Sequence, residues 1–364
     1  MSRHPDVAIR RLARLAVMVG VAVLGLVGAA PAHASTSNAW TATASMSVAR
    51  AAFTATPLAD GRVLVVGGAT AELYDGATGT WSPAGTLNVA RSDHVAVRLN
   101  DGRVLVAGGS YSATAELYDP ASNSWTSTGS MSTDREDPVG VRLPDGRVLV
   151  AGGNSSQHGP QASAEVYDPA TGQFTPTGAM RAARFSFVAA PLPDGSVLVA
   201  GGIGSTTYLN SAERFMPDTG RWRSAGTMSA QRVAATATPL NDGRVLVAGG
   251  GPGGQNTAEV FDASSRTWTP AGTLPHAFGA HTAVRLTDGR VLIAGSTWLG
   301  AVYSPTTGQW TATGNMVDFD LDYAAAALLP DGRVLFAGGE RLECDTTGET
   351  CFDVPTANTE AYAP

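Results

Sequence analysis

Eight aromatic or histidine side chains after residue 34 stand outside the repeated pattern of this sequence, and six of them are the residues best suited to binding or chemistry. These six are Tyr111, Tyr208, Tyr323, Trp298, His94 and His281. Exposed Trp and Tyr rings pack against sugars or partner proteins, and His can bind a metal or move a proton near neutral pH. We therefore take these six residues as ligand-binding candidates.

Carboxylates alternate along one short segment near the C-terminus, at Asp318, Asp320 and Asp322. Alternating carboxylates can hold Ca²⁺ when a Gly turn and a supporting Glu complete the ligand set. The segment lacks both, so a solvated acidic edge is the favoured interpretation. The sequence also contains no spacing typical of a metal site, a catalytic nucleophile set or a phosphate-binding loop. We therefore expect no metal and no cofactor.

The elements that must position these residues are seven near-copies of Asp-Gly-Arg-Val-Leu-Val-Ala-Gly-Gly. The copies begin at Asp60, Asp101, Asp145, Asp194, Asp242, Asp288 and Asp331. A spacing of 41 to 49 residues is typical of propeller blades rather than of helical solenoids. The composition, with 43% hydrophobic residues and 43 Gly in 364 residues, suits a turn-rich all-β protein.

Each copy predicts a blade of four antiparallel strands. In the second unit the strands fall near 95–99, 103–107 and 115–118 and around Trp125. The second strand is apolar at nearly every position, which predicts that both of its faces are covered. Large rings recur seven residues apart, as Tyr118 and Trp125, and are predicted to fill the space between blades.

The seventh unit lacks a fourth strand, and the N-terminal segment contains a strand that belongs to no blade. The seventh unit stops at Pro364, before a Trp would follow Tyr362, and residues 40–43 (Trp-Thr-Ala-Thr) resemble a fourth strand without a blade. Pairing these segments removes an open sheet edge. We predict an all-β, seven-bladed β-propeller over residues 35–364, closed by the N-terminal strand.

Gly-Gly doublets followed by a Tyr and a Trp with six residues between them resemble Kelch repeats across essentially the whole chain after residue 34. The fuller phrase around Arg135, with residues 129–131 and 143–147, resembles the galactose-oxidase-like branch of secreted Kelch proteins. That resemblance implies a copper radical oxidase, whose site needs a Cys cross-linked to a Tyr, a second Tyr and two His, one of them from a further domain. Here the sequence ends at the seventh blade, and the oxidase is therefore the alternative function.

The short Asp-Gly and Asp-Pro turns are predicted to lie on one face of the ring, which we call the turn face. The connections from second to third strands, and from each blade to the next, lie on the opposite loop face. These loops vary in length, and variable loops on a rigid scaffold usually carry binding. All six candidates map to the loop face or to the start of an inner strand.

Two sets of residues recur at fixed positions near that face. His94 and His281 both lie three residues after the position that is equivalent to Arg50 in their own units. In the seventh unit the same alignment places Tyr323 at the His position and Asp320 at the Arg position. A metal pair is one interpretation, but blades two and six are well apart, so inner-strand His bonded to a backbone carbonyl is favoured. A repeated Arg and a repeated Glu could form an anion-binding ring or structural ion pairs. Both are lost together in blade six, which favours pairing.

The first 34 residues form a predicted secretory signal peptide. A basic start and an apolar run from Leu15 to Ala30 lead to Ala32-His33-Ala34, with cleavage expected after Ala34 and Ala32 as the alternative. The general secretory route is favoured over twin-arginine export. We expect no stable membrane span in the mature chain. In an exported protein, Cys344 and Cys351 are expected to form a disulfide.

The mature chain would carry a net charge of about −10, which argues against nucleic acid or an anionic membrane as a partner. The sequence thus predicts a secreted monomer that binds an extracellular protein or glycan through the loop face, without catalysis of its own. A copper radical oxidase is the alternative, and a structural module of the cell envelope is the third hypothesis.

Overall fold

The computed structural model describes residues 38–251, 255–295, 297–317, 321–344 and 351–364, and this part of the chain is all-β. The predicted signal peptide lies outside the described residues. No helix in the described part is long and apolar enough to cross a membrane. Seven sheets of four antiparallel strands form the blades of a propeller, which confirms the predicted fold class.

The inner strands are Thr54–Pro57, Val95–Arg98, Val139–Arg142, Val188–Pro191, Thr236–Pro239, Thr282–Arg285 and Ala325–Leu328, in blades one to seven. The second strands of blades two to seven are Val104–Ala107, Val148–Ala151, Val197–Ala200, Val245–Ala248, Val291–Ala294 and Val334–Ala337. In blade one the second and third strands run together as Val63–Asp75. Each inner strand contacts the inner strands of both neighbouring blades, so the ring is closed.

The third strands of blades two to seven are Ala115–Asp119, Ala164–Asp168, Ser211–Met216, Gln255–Asp262, Leu299–Ser304 and Thr359–Ala363. The outer strands of blades one to seven are Thr80–Arg91, Ser124–Ser127, Gln173–Pro176, Arg221–Thr227, Thr267–Phe278, Gln309–Asn315 and Ala39–Ala42. Two extra hairpins rise from second-to-third loops: Asn154–Ser155 with Gly159–Pro160 in blade three, and Glu340–Cys344 with Cys351–Pro355 in blade seven.

The core lies between the blades, because the second strand of each sheet is covered on both faces. All four residues of Val104–Ala107 are fully buried. Outer-strand Trp side chains bridge neighbouring blades: the Trp125 ring packs 5.1 Å from the Tyr118 ring, and its indole N–H donates to the Ala84 oxygen of blade one at 2.7 Å. Large amphipathic rings suit this position, since the ring is buried while its one polar atom finds a partner.

The predicted closure of the ring is confirmed. Strand Ala39–Ala42 pairs antiparallel with Thr359–Ala363, and Trp40 lies opposite Tyr362. The Trp40 ring packs 5.0 Å from Tyr362, and its indole N–H donates to the Thr313 hydroxyl of blade six at 3.1 Å. The N-terminal strand therefore serves as the outer strand of blade seven, with the Trp40 indole donating to a hydroxyl where the other outer-strand Trp residues donate to a backbone carbonyl.

The turn face is uniform. At the start of each of six second strands, an Asp accepts hydrogen bonds from the backbone and side chain of the Arg two residues later, as when Arg103 Nε donates to Asp101 Oδ2 at 2.8 Å. The residue between them is Gly with positive φ, as in Gly102 at 92°. Only Gly adopts that conformation readily, which explains the invariant Asp-Gly pair.

The backbones of Cys344 and Cys351 lie opposite each other in the register of the blade-seven hairpin. Their side chains are outside the described part, so the disulfide stays a prediction, now supported by directly facing Cα atoms. We expect the exported, unreduced protein to show no thiol that iodoacetamide can alkylate, as measured by mass spectrometry. Reduction should free both thiols with little change in melting temperature, because the loop that the bridge closes is short. Two alkylated thiols before reduction would contradict the pairing.

Candidate functional site at the channel mouth

The seven inner strands surround a central channel, and one residue from each blade forms a ring at its loop-face end. This mouth ring consists of Ala52, Asp93, Asp137, Ser186, Ala234, Ala280 and Tyr323, all with φ between 50° and 57°. Backbone hydrogen bonds join neighbours around it: Asp93 N donates to Ala52 O, and Asp137 N donates to Asp93 O, both at 2.8 Å. Seven non-Gly residues held in the left-handed region mark a backbone shaped by its surroundings, a feature common at functional sites.

The mouth ring brings two carboxylates together in neighbouring blades. Asp137 is partly buried, and its Oδ2 accepts a hydrogen bond from the Ser186 hydroxyl at 2.6 Å. Burial raises the pKa of Asp137 to about 7, the Ser186 hydrogen bond opposes this, and the carboxylates of Asp93 and Glu136 add to it. A carboxyl that titrates near neutral pH can both donate and accept a proton there.

We expect the charge of Asp137 to make stability depend on pH. The folded protein holds a proton that an unfolded Asp, whose ordinary pKa is 3.8, has released, so stability is lost as pH rises from about 4 to 7. Asp137→Asn should remove that loss, becoming more stable than the wild type by about 1 to 3 kcal/mol at pH 8 and not at pH 4. Urea unfolding at both pH values measures the difference. An equal effect at both would contradict a raised pKa.

His94 and His281 are buried in the walls between blades and are not brought together. His94 Nε2 lies 3.0 Å from the Thr54 hydroxyl of blade one, and His281 Nε2 lies 3.0 Å from the Thr236 hydroxyl of blade five. Burial, with Arg91 nearby, lowers the pKa of His94 to about 3. Burial lowers that of His281 to about 4. Both rings are therefore neutral at physiological pH. Each Nε2 faces a Thr hydroxyl on the preceding inner strand, and a backbone hydrogen bond with Ala248 slightly opposes the lowering of the pKa for His281.

The alignment of blade seven was wrong by one residue. In the other six blades the inner strand begins four residues after the Arg site, and in blade seven it begins at Ala325. Leu321, not Asp320, therefore occupies the Arg site, and Tyr323 lies in the mouth ring rather than at the His94 position. Blade seven has an extra residue in the segment between Met316 and Leu321, where counting from the preceding strand fails.

The other aromatic candidates lie on the loop face but on different blades. Tyr111 is half-buried in the loop of blade two, next to Ser110, whose N–H donates to Ser92 O at 3.0 Å. Tyr208 is half-buried in the loop of blade four, where its carbonyl accepts from Gln231 Nε2 at 3.0 Å. Trp298 is 61% exposed in the loop of blade six. These residues line different parts of one face and form no common cluster.

The repeated Arg and Glu form buried ion pairs within single blades, which confirms pairing over an anion-binding ring. The five pairs are Arg50–Glu72, Arg91–Glu116, Arg135–Glu165, Arg184–Glu213 and Arg232–Glu259, and the Arg Nη2 to Glu Oε1 distances run from 2.9 to 3.1 Å. Each Arg also bonds the carbonyls at the two ends of the second-to-third loop, as Arg135 Nη1 does to Gly152 O at 2.8 Å and Ser163 O at 3.1 Å. These buried guanidiniums are thus engaged within their own blades rather than with a ligand.

The described residues do not fit a copper radical site. No group of three or more His, Cys, Asp or Glu among them is close enough to hold a metal ion. The two His that recur at one position of the repeat, His94 and His281, are separated around the ring and engaged with Thr hydroxyls. Asp318 and Asp320 of the alternating carboxylates lie outside the described residues, whereas Asp322 is buried and exchanges backbone hydrogen bonds with Glu340.

Asp93, Asp137 and Ser186 are the residues that the sequence did not single out. Their signal was present, because blades two and three both have Asp two residues after the repeated Arg. This signal was weak because Asp residues are common in loops. The position was recognised only in the structure, where these residues join the mouth ring through their backbone conformation and hydrogen bonds.

Comparisons with known proteins agree with this architecture. A model of the Kelch motif matches residues 138–181 and 184–229, which span most of blades three and four. No curated protein sequence matches the chain significantly. Among solved structures, a fungal alcohol oxidase of the AA5 family in complex with copper is similar, with a TM-score of 0.74 and 19% identity over 90% of this chain and 76% of that chain. At that identity the likeness shows the fold alone. The architecture and these matches together show a seven-bladed β-propeller in which blades three and four match the Kelch motif.

Proposed function

We propose that the protein is an exported binding module that recognises an extracellular protein or glycan through its loop face. The observation that carries this proposal is the position of the exposed large apolar side chains in the described part. They are Val48, Val89, Trp298, Val317 and Phe352, and all five lie on the loop face. Exposed apolar residues gathered on one face are typical of interaction sites.

The turn face offers a ligand little. Its Asp and Arg side chains are already paired with each other, and such exposed pairs recur in six blades with the same geometry. A uniform surface whose charged groups are already paired is typical of a scaffold. On the loop face, by contrast, the loops differ in length and residue type from blade to blade.

The binding proposal predicts an unequal effect of two exposed substitutions. For a ligand found by screening glycans and extracellular proteins, Trp298→Ala should weaken binding by more than about 1 kcal/mol, since exposed Trp often dominates an interface. Asp218→Asn, at an exposed turn-face position of blade four, should change it little. Isothermal titration calorimetry measures both. If only Asp218→Asn weakens binding, the binding site lies on the turn face and the proposal is wrong.

Oxidase activity is the second candidate, supported by the shared fold with a copper-containing alcohol oxidase. A copper-loaded sample assayed for peroxide with sugars, alcohols and glyoxals separates the two functions. We expect no peroxide, because His94 and His281 are held apart in the walls between blades. Turnover that His94→Ala or His281→Ala abolishes would overturn the binding proposal.

A further inference from the structure

The exposed apolar side chains follow one another around the ring. We call Val48, Val89, Trp298, Val317 and Phe352 the apolar arc. Trp298 lies in the loop of blade six, Phe352 in the hairpin of blade seven, and the three Val in the connections into blades one, two and seven. The apolar arc therefore covers four consecutive blades, from six through seven and one to two.

Hydrogen bonds join some of the segments that carry the apolar arc. Met316 N donates to Trp298 O at 2.9 Å, which places Val317 beside Trp298. Val317 N donates to Glu360 Oε2 of blade seven at 2.8 Å. The residues directly after the blade-seven hairpin contact the segment that contains Val48: Thr356 forms a β-bridge with Arg50, and Met46 N donates to Ala357 O at 2.9 Å. The arc is thus part of a surface held by hydrogen bonds.

Carboxylates surround the apolar arc, and cations are nearly missing from this face. Besides the buried Glu residues, seven exposed or half-buried acidic residues of the described part lie there: Asp93, Asp134, Glu136, Asp137, Glu340, Glu343 and Asp353. Apart from the five buried arginines of the ion pairs, only Arg181 and Arg341 among the arginines of the described part lie there, and Arg341 Nε already donates to Glu343 at 2.7 Å. Glu343 lies opposite Phe352 in the hairpin register, so charge and apolar surface are interleaved.

We propose that the loop face binds a basic polypeptide segment, whose apolar side chains pack on the apolar arc and whose Lys or Arg side chains pair with the surrounding carboxylates. This inference rests on the proposed binding function and specifies its ligand. Charge of one sign on an interface favours a partner of the opposite sign and raises the association rate. Aromatic rings that become buried in the interface supply most of the affinity. A neutral glycan would use the rings without needing the charge, and a polyanion would be repelled.

The test uses the mature protein and three fluorescein-labelled peptides of equal length that share their Leu and Tyr positions. The remaining positions are Lys and Arg in one peptide, Gln in the second and Glu in the third. A neutral oligosaccharide series measured by calorimetry is the fourth probe. We expect the basic peptide to bind most tightly in fluorescence anisotropy, and to lose at least about tenfold in affinity between low and high salt because exposed charges are screened.

Matched variants separate the apolar and charged parts. Trp298→Ala should weaken binding of the basic peptide at least about fivefold, Trp298→Phe should retain most of it, and the double variant Glu343→Gln, Asp353→Asn should weaken it about threefold or more. The turn-face variant Asp218→Asn should leave it unchanged. Circular dichroism confirms that each variant folds.

Two outcomes overturn the inference in different ways. If an oligosaccharide binds in a Trp298-dependent manner and the basic peptide binds no better than the Gln peptide, the loop face is a binding face but its ligand is not a basic polypeptide. If the basic peptide binds and only Asp218→Asn weakens it, both this inference and the proposed function are wrong.

Discussion

Replacing Trp40 with Ala is expected to lower the free energy of unfolding by about 3 to 5 kcal/mol, the usual cost of truncating a buried Trp. The Trp40 side chain is 7% exposed and packs against Tyr362 and, at 5.8 Å, against Phe336. It also fastens blade seven to blade six through the Thr313 hydroxyl. Guanidinium chloride unfolding followed by circular dichroism measures the loss.

Trp298→Ala is the matched control, because the same substitution there removes a ring that is 61% exposed. Its unfolding free energy should stay close to that of the wild type. A chain starting at Ser47 should lose at least as much stability as Trp40→Ala, because it also lacks the outer strand of blade seven. A shortened chain as stable as the wild type would contradict the closure by the N-terminal strand.

Arg135→Ala is expected to destabilise the protein by a similar amount, about 3 to 5 kcal/mol, because it leaves the buried Glu165 without its partner. The substitution also removes the donors to Gly152 O and Ser163 O. Glu165 would keep only the backbone N–H of Ser132 among its described donors. Equilibrium unfolding at neutral pH measures the effect.

Blade six contains a natural replacement for this network. Phe278 stands at the Arg site, Ala301 at the Glu site, and Pro275, which has no N–H, stands where Ser132 donates in blade three. Phe278 and Ala301 are both fully buried. Well-packed apolar groups can replace a buried ion pair at little cost.

The triple variant Ser132→Pro, Arg135→Phe, Glu165→Ala places the three residues of blade six at the equivalent positions of blade three. It should recover at least half of the stability that Arg135→Ala loses, even though it changes three residues instead of one. A triple variant less stable than Arg135→Ala would show that the network supports blade three by more than satisfying its own buried charges.

Most of the fold could be predicted from the sequence because each blade repeats the same local rules. Asp-Gly turns, fully apolar second strands and ring pairs seven residues apart are read from neighbouring positions, and Trp40 could be assigned because Tyr362 lacked its partner. The alignment of blade seven failed where one extra residue precedes Leu321, since a repeat pattern carries no information about an insertion between its conserved parts.

The candidate site was harder to predict because it depends on the arrangement of seven blades. His94 and His281 were recognised as equivalent, but their Thr partners come from other blades and are 40 and 45 residues away in sequence. The raised pKa of Asp137 depends on its burial and on the carboxylate of Asp93, which lies in the preceding blade. The loop position of Trp298 could be predicted because this residue lies outside the repeat. The other members of the apolar arc could be identified only once the closed ring showed which blades are neighbours.

The repeated Arg has a consequence for how this protein can change. Because each guanidinium holds the carbonyls on both sides of a second-to-third loop, the loop leaves and re-enters the blade at the same two points whatever its length. Arg50 does this for the short connection between Gly67 and Thr70, and Arg135 does it around a loop that contains an extra hairpin. Insertions there lengthen the chain without moving the sheet. The five clamped blades are therefore natural sites for grafting foreign peptides. Blades six and seven have Phe278 and Leu321 at the Arg site and lack this clamp, although blade seven already carries an extra hairpin.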